Sequence, residues 1–349
     1  MSLTYSEIKQ QYEALRLTFA YMLSQRDRLT AFMKESEASS IAFVGCGSSY
    51  ALSVSAARSF QLRGGIPAYA FAGGDLMLNA SRYRSTLRGA LLVLPSRSGS
   101  TTEIMEAIPL LQQDERRPLL ALTCVQDSPL SKVADYALEL PWAFDNSVCQ
   151  TRTVTNLYVA NLMLAAFYGN DDALIDSIRE AVAHGETFMS GSEQAIRRTA
   201  GFAWENAVVL ADGELNGLAA EGAIAMTEIA NAQAHAHHLL DVRHGPMVTI
   251  GRDTLVLAAL NDGGFEYQLK LLADLKARGA TVIAYIDQDE ARQLYLSAAD
   301  LVVSSNMKLD FAVRGIPFIF IAQIAAICGA DRQGINPDQP DGLDAWVKL

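Results

Sequence analysis

Cysteine is scarce in this chain. Only four occur in 349 residues, Cys46, Cys124, Cys149 and Cys328. None forms a Cys-x-x-Cys pair, which excludes zinc ribbons and small disulfide scaffolds and fits a reducing cytoplasm. Positive charge is also short: Lys plus Arg number 28 against 39 Asp plus Glu, a formal net charge of −11. That balance argues against nucleic-acid binding, which needs cations on phosphates, and against a polybasic membrane anchor. An anionic ligand would have to be held by local dipoles and hydroxyls. Long apolar runs are missing too. Ile316 to Cys328 contains Gln323 and is too short to span ~30 Å of hydrocarbon at ~1.5 Å per residue, so it reads as a buried strand or helix. Met1 to Gln10 carries Glu7 and Lys9 and no apolar stretch, so no signal peptide is expected. What the chain does hold is core material, with 50% apolar and 19% charged residues. That is enough for roughly two domains of ~150 residues.

The apolar pattern has the order strand, turn, helix, strand. Ile8, Tyr12, Leu15 and Phe19 fall at helical steps and predict a helix over residues 4–36. Strands are predicted at Ile41–Val44, Pro67–Phe71, Ala90–Pro95, Leu119–Thr123 and Tyr136–Leu140, with helices between them. The order recurs at Ala207–Ala211, Leu255–Leu260 and Val282–Ile286. Ala134-Asp135 precedes one late strand and Ala299-Asp300 another, an offset of 300 − 135 = 165. Repetition of this kind predicts two α/β domains with parallel sheets, arranged as an internal repeat. The expected boundaries are a helical segment at 1–35, a first domain at 36–170, a helical linker at 171–200, a second domain at 201–330 and a tail at 331–349.

Ligands of open parallel sheets bind beyond the carboxyl ends of strands. Two turns there are rich in glycine and hydroxyls: Gly45-Cys46-Gly47-Ser48-Ser49 and Ser96-Arg97-Ser98-Gly99-Ser100-Thr101. A helix start offers unpaired N–H groups and positive partial charge, and hydroxyls add donors, which suits a phosphate monoester. One such turn is more often an ordinary cap, but two in one domain favour a ligand. Neither is a dinucleotide or ATP motif. The matching turn of the second half, Asn261-Asp262-Gly263-Gly264, has no hydroxyl and carries an acid. Further on, Glu221 and Glu228 stand two turns apart on an apolar helix, where a carboxylate can serve as a base. His235, His237 and His238 do not share a helical face and lack a zinc motif. His244 lies in a Gly-Pro turn, a place where function often sits.

Together these residues resemble the SIS (sugar isomerase) family of phosphosugar-binding proteins, in arrangement the isomerase half of glucosamine-6-phosphate synthase above all. The family's phosphate loop matches Ser96, Ser98, Gly99 and Thr101, and its Gly-x-Gly-[ST]-Ser turn matches Gly45, Gly47, Ser48 and Ser49. Its catalytic glutamate falls on Glu228 and its His-Gly-Pro histidine on His244. Asn336-Pro337-Asp338-Gln339-Pro340 matches its C-terminal stretch. Two lysines of the synthase are replaced, by Ala225 and Ala345, with Lys348 out of register. Deglycase-type members share the missing helix lysine and the arginine at Arg243. The resemblance implies two SIS-type domains and an enzyme acting on a 6-phosphorylated sugar or amino sugar by isomerisation, deamination or deglycation. Gly47, Ser48, Ser49, Ser96, Ser98, Gly99 and Thr101 would bind substrate, and Glu228 and His244 would be catalytic. No metal or cofactor is needed for such proton transfer. The expected assembly is a homodimer, with His244 supplied to the neighbouring subunit's site. A non-catalytic sugar-phosphate sensor is the alternative.

Overall fold

The computed structural model describes residues 2–344. Ala345 and Lys348 lie outside them. In chain order the helices and strands are α1 Leu3–Lys9, α2 Gln11–Glu35, β1 Ser40–Gly45, α3 Ser48–Ser59, β2 Ala68–Ala72, α4 Gly73–Tyr83, β3 Ala90–Ser96, α5 Thr102–Leu111, β4 Leu119–Thr123, α6 Pro129–Val133, β5 Tyr136–Glu139, α7 Arg152–Gly169 and α8 Asp172–Ala200. They continue with β6 Asn206–Leu210, α9 Asn216–Ala230, β7 Gln233–His237, β8 Thr254–Ala259, α10 Phe265–Ala277, β9 Thr281–Ile286, α11 Arg292–Tyr295, β10 Leu301–Ser304 and α12 Gly315–Gln333. The chain forms two compact units. The N-terminal unit takes Gln10–Asn146 and Arg152–Asp176. The C-terminal unit takes residues 2–9, Ser147–Thr151 and Ser177–Leu343.

Each unit is built on a five-stranded parallel sheet. The orders are β2-β1-β3-β4-β5 and β10-β9-β8-β6-β7, which is one order read from opposite ends. In the first sheet every residue of β1 and β3 is buried, as central strands covered on both faces must be. Ala42, Val44, Leu92 and Leu94 meet Leu76 of α4 and Ile104, Ala107 and Ile108 of α5. Phe43 points the other way, onto Phe60 at the end of α3. This is a doubly wound α/β sheet made twice. The repeat extends to single hydrogen bonds. The Asp135 carboxylate accepts Leu119 N–H at the start of β4, 2.8 Å, and the Asp300 carboxylate accepts Val282 N–H at the start of β9, 2.7 Å.

In the second sheet, Val208, Leu210, Val256 and Ala258 face Leu271, Leu272 and Leu275 of α10 and the segment that carries Leu239, Val242, Met247 and Ile250. The alternate residue Val209 faces α9, with its methyl 3.4 Å from where a β-carbon on Gly222 would stand. The apolar run after residue 316 is helical and extends to the 19 residues of α12. Ala312–Gln333 is long and apolar enough to cross a membrane, and its most apolar 18-residue stretch is wholly buried. It packs against α9 as a core helix.

Two local readings change. The helix expected over 4–36 is broken at Gln10, the point where the chain leaves the C-terminal unit and enters the N-terminal one. Residues 235 and 237, read on helical spacing, stand on strand β7. Among the described residues this edge strand pairs only with β6, and it needs no continuous apolar run.

Candidate functional site

The order β2-β1-β3-β4-β5 places the topological switch point of the first sheet between β1 and β3, the neighbouring strands whose carboxyl ends carry the two hydroxyl-rich turns. After β1, Gly45 has no room for a side chain: a β-carbon would come 2.4 Å from the Ser49 backbone. Gly47 then takes φ 54° as the residue before α3, where Cβ strain would otherwise oppose the turn. Ser48 and Ser49 open the helix and are buried.

After β3, Ser96 is buried at the strand end and accepts Gly99 N–H, 3.0 Å, while its Oγ lies 3.2 Å from Thr101 Oγ1. Ser98 is half-buried and accepts Ser100 N–H, 3.2 Å. Its hydroxyl hydrogen thus stays available to an anion. Gly99 has φ 60°, and a β-carbon there would lie 2.2 Å from Ser128 Oγ. Thr101 precedes α5. The residues before α3 and α5, Gly47 and Thr101, make no side-chain capping bond, whereas α6 is capped by Ser128 on Ser131 N–H. At α3 the N–H groups of Ser49 and Tyr50 already reach Cys46 O and Gly47 O, 3.1 and 2.9 Å, so both helix starts bring positive partial charge to the switch point while the hydroxyls supply most of the donors on the α3 side.

Gly73 ties this corner together. A β-carbon on it would meet Cys46 Sγ at 2.7 Å, Ile104 at 2.8 Å and Glu103 at 3.6 Å. The turn after β1 and the first turns of α4 and α5 converge on that one glycine. Its signal in the sequence is Gly73-Gly74 directly after the second strand. The Cys46 thiol is pushed up to about 11, first by burial and then by the Glu103 carboxylate, although the amides of Gly73 and Gly74 favour the thiolate.

The switch point of the second sheet is occupied by its own side chains. Asp212 accepts from Asn261 Nδ2, 2.9 Å, and from Leu239 N–H, 3.1 Å. Asp262 accepts from Nη1 and Nη2 of buried Arg314, 2.6 and 2.9 Å. Those acids repel an anion where the first sheet offers hydroxyls.

Glu228 stands in the last turn of α9. Because α9 crosses from the carboxyl end of β6 to the start of β7, this turn lies at the amino end of the second sheet. Glu228 lines a cavity of about 450 Å³ with Thr227, Asn231 and the segment Gly334–Leu343. Glu221, two turns earlier, is buried. Ala225, three residues before Glu228, is buried as well. His244 is exposed in the turn that follows β7, between the buried side chains of Val242 and Met247. His235 and His237 stack loosely on one side of β7, with ring centroids 6.5 Å apart. Burial and the neighbouring His235 lower the His237 pKa. Among the described residues no group of three His, Cys, Asp or Glu side chains is placed to hold a metal ion.

The family model described as SIS domain matches residues 36–167. That stretch is a SIS domain. It contains β1 to β5 and both hydroxyl turns. Over 319 residues the chain is 25% identical to the glutamine–fructose-6-phosphate aminotransferase (isomerizing) of Escherichia coli K12, covering 88% of this chain and 51% of that protein. The chain thus spans about half the length of the curated relatives it matches. The tagatose-6-phosphate ketose/aldose isomerase of Escherichia coli superposes with a TM-score of 0.85 at 22% identity, covering 97% of this chain and 94% of the other. The glucosamine-6-phosphate deaminase of Thermotoga maritima does so with a TM-score of 0.75 at 23% identity, covering 95% and 99%. The two solved structures share the fold of this chain over 95% or more of its length.

Proposed function

We propose that this protein is a phosphosugar isomerase-type enzyme acting on a 6-phosphorylated sugar or amino sugar. The observation that carries the reading is the switch point of the SIS domain, where two helix starts and the hydroxyls of Ser48, Ser96, Ser98 and Thr101 gather, with buried Arg97 in the same loop. A phosphate monoester there is held by donors and dipoles. The aminotransferase, isomerase and deaminase named above act on substrates of this class.

In the proposed reaction, Glu228 removes the proton from the carbon beside the sugar carbonyl or imine. The electron pair moves onto the oxygen or nitrogen and leaves an enediol or enolamine. Glu228 then returns the proton to the neighbouring carbon, or the amine departs. His244 moves protons among the sugar oxygens and assists ring opening. The active unit is a homodimer in the cytoplasm, and each site uses the partner's His244. Within one chain the two residues are separated by a whole β-sheet, which supports this sharing.

The test is a thermal-shift screen against hexose, hexosamine and fructosamine 6-phosphates, followed by turnover. A ligand at ~100 times its Kd adds ~2.7 kcal/mol of stability. Glu228→Gln should then bind the same ligand and turn it over ~10²–10⁴-fold more slowly. Binding with normal turnover in that variant would remove Glu228 from the reaction.

A further inference from the structure

The cavity beside Glu228 has one wall made of irregular chain. Thr227, Glu228 and Asn231 come from the end of α9, but the opposite side is the strap Gly334–Leu343, which follows α12 and has no helix or strand of its own. A backbone without a ladder is positioned only by its individual fastenings. At its root, Ile335 N–H reaches Ala330 O, 3.0 Å. Its middle is fastened around Asp338, beside which Thr4 Oγ1 also lies 2.8 Å from the carbonyl of Pro337. The Asp338 carboxylate accepts Leu3 N–H, 2.8 Å, Thr4 N–H, 2.7 Å, and Thr4 Oγ1–H, 2.8 Å. The Asp338 carbonyl accepts Val148 N–H, 3.0 Å, and Asp338 N–H turns back to Asn336 Oδ1, 3.1 Å.

The post to which the strap is tied is itself rigid. On α1, Tyr5 Oη and Lys9 Nζ both reach Glu193 of α8, 2.6 and 2.7 Å, and buried Glu7 accepts Ser147 N–H, 3.3 Å. Burial works against a charged Asp338, but the donors of Thr4 and Leu3 prevail and hold its carboxyl below the usual carboxylate range. The strap is thus fixed by a charged acceptor, the stronger kind of hydrogen bond.

We propose that Asp338 is a positioning residue for Glu228, holding the strap Gly334–Leu343 against α1 so that the wall of Glu228's cavity keeps one shape. The proposal rests on the reading of Glu228 as the base. Asp338 touches no reacting atom. It acts by setting where Asn336, Gln339 and Asp341 stand opposite Glu228, and a displacement of ~1 Å in such a wall costs up to ~10²-fold in rate.

The experiment compares wild type with Asp338→Ala, Asp338→Asn and Thr4→Ala in the full chain. Amide hydrogen exchange is read over 334–343 and over α9. Deuterium wash-in beside the carbonyl of fructose 6-phosphate, tagatose 6-phosphate and glucosamine 6-phosphate reads the base. In Asp338→Ala, strap exchange should rise at least ~10-fold with α9 unchanged. Wash-in kcat should fall roughly 10–100-fold at nearly constant KM. Asp338→Asn keeps one acceptor and should fall between. Thr4→Ala removes one donor and gives a smaller change of the same sign, which keeps the test intact if Asp338→Ala fails to fold. A loosened strap with wild-type kcat overturns the proposal, and so does unchanged strap exchange. If Glu228→Gln retains wash-in, the reading of the base has failed instead, and only that variant reports it.

Discussion

Glu228 and His244 lie on opposite faces of one five-stranded sheet. Glu228 belongs to α9, which packs on the Val209 face. His244 belongs to the segment whose Val242 and Met247 pack with Val208 and Leu210 on the other. No rotamer of either side chain crosses a sheet, which supports the proposal that one sugar meets Glu228 of one chain and His244 of its partner.

The first prediction follows from that separation. Glu228→Gln and His244→Ala should each be inactive alone and complement when mixed after dissociation and reassociation. Random pairing makes half the dimers mixed, each with one intact site, so roughly a quarter of wild-type activity should return. Activity is assayed beside a mass measurement that demonstrates exchange. No recovery among exchanged dimers would show that the partner's His244 has no part in the reaction.

Ser98→Ala with Thr101→Ala should weaken binding of every sugar phosphate. Each hydrogen bond to a charged phosphate contributes about 1.5–3 kcal/mol, roughly 10–100-fold in Kd. Titration calorimetry reads it. Asn261→Ser in the other sheet should leave the affinity unchanged, because the Asp262–Arg314 pair still fills that corner. Equal loss from both changes would move the phosphate site.

Cys46 stands inside a candidate ligand turn and still should be a poor nucleophile. With its thiol at about 11, the thiolate at pH 8 is roughly 10⁻³ of the total, so iodoacetamide should react on the order of 100-fold more slowly than with a free cysteine. The neutral thiol is the form the fold accepts, so this contribution to stability is complete below pH 9 and fades as pH rises through 11. Rapid labelling of Cys46 at pH 8, located by peptide mapping, would contradict the burial argument.

Asn161, inside the buried stretch Thr153–Phe167 of α7, has neither amide atom paired with any described residue. An unmade pair of buried polar atoms costs about 1–3 kcal/mol, so the near-isosteric Asn161→Leu should raise the unfolding midpoint. A lower midpoint in thermal denaturation would mean that an internal water satisfies the amide.

The strands were legible because central parallel strands are apolar throughout: Ile41-Ala42-Phe43-Val44 and Val282 to Ile286 carry their own signal. β7 was not. It is an edge strand of alternating alanine and polar residues, without the apolar run that marks a central strand. The two hydroxyl turns were readable as strand-end turns, but their adjacency was not, since it depends on β1 pairing with β3 across an intervening helix, strand and helix. Gly73 was visible as a residue and silent as a contact. The break at Gln10 has no local cause such as proline or glycine. It arises from which unit each side of it packs in, a choice made by residues hundreds of positions away.

The fastening of Leu3 and Thr4 to Asp338 joins positions 335 residues apart. On a ribosome adding ~5–20 residues per second, α1 emerges about 20–70 s before the carboxylate that completes it. Glu193 and Ser147, its other partners, also come late. Seven helical residues cannot hold a helix alone in water. α1 is therefore made long before it can fold, and the wall facing Glu228 cannot close until Asp338 has been added.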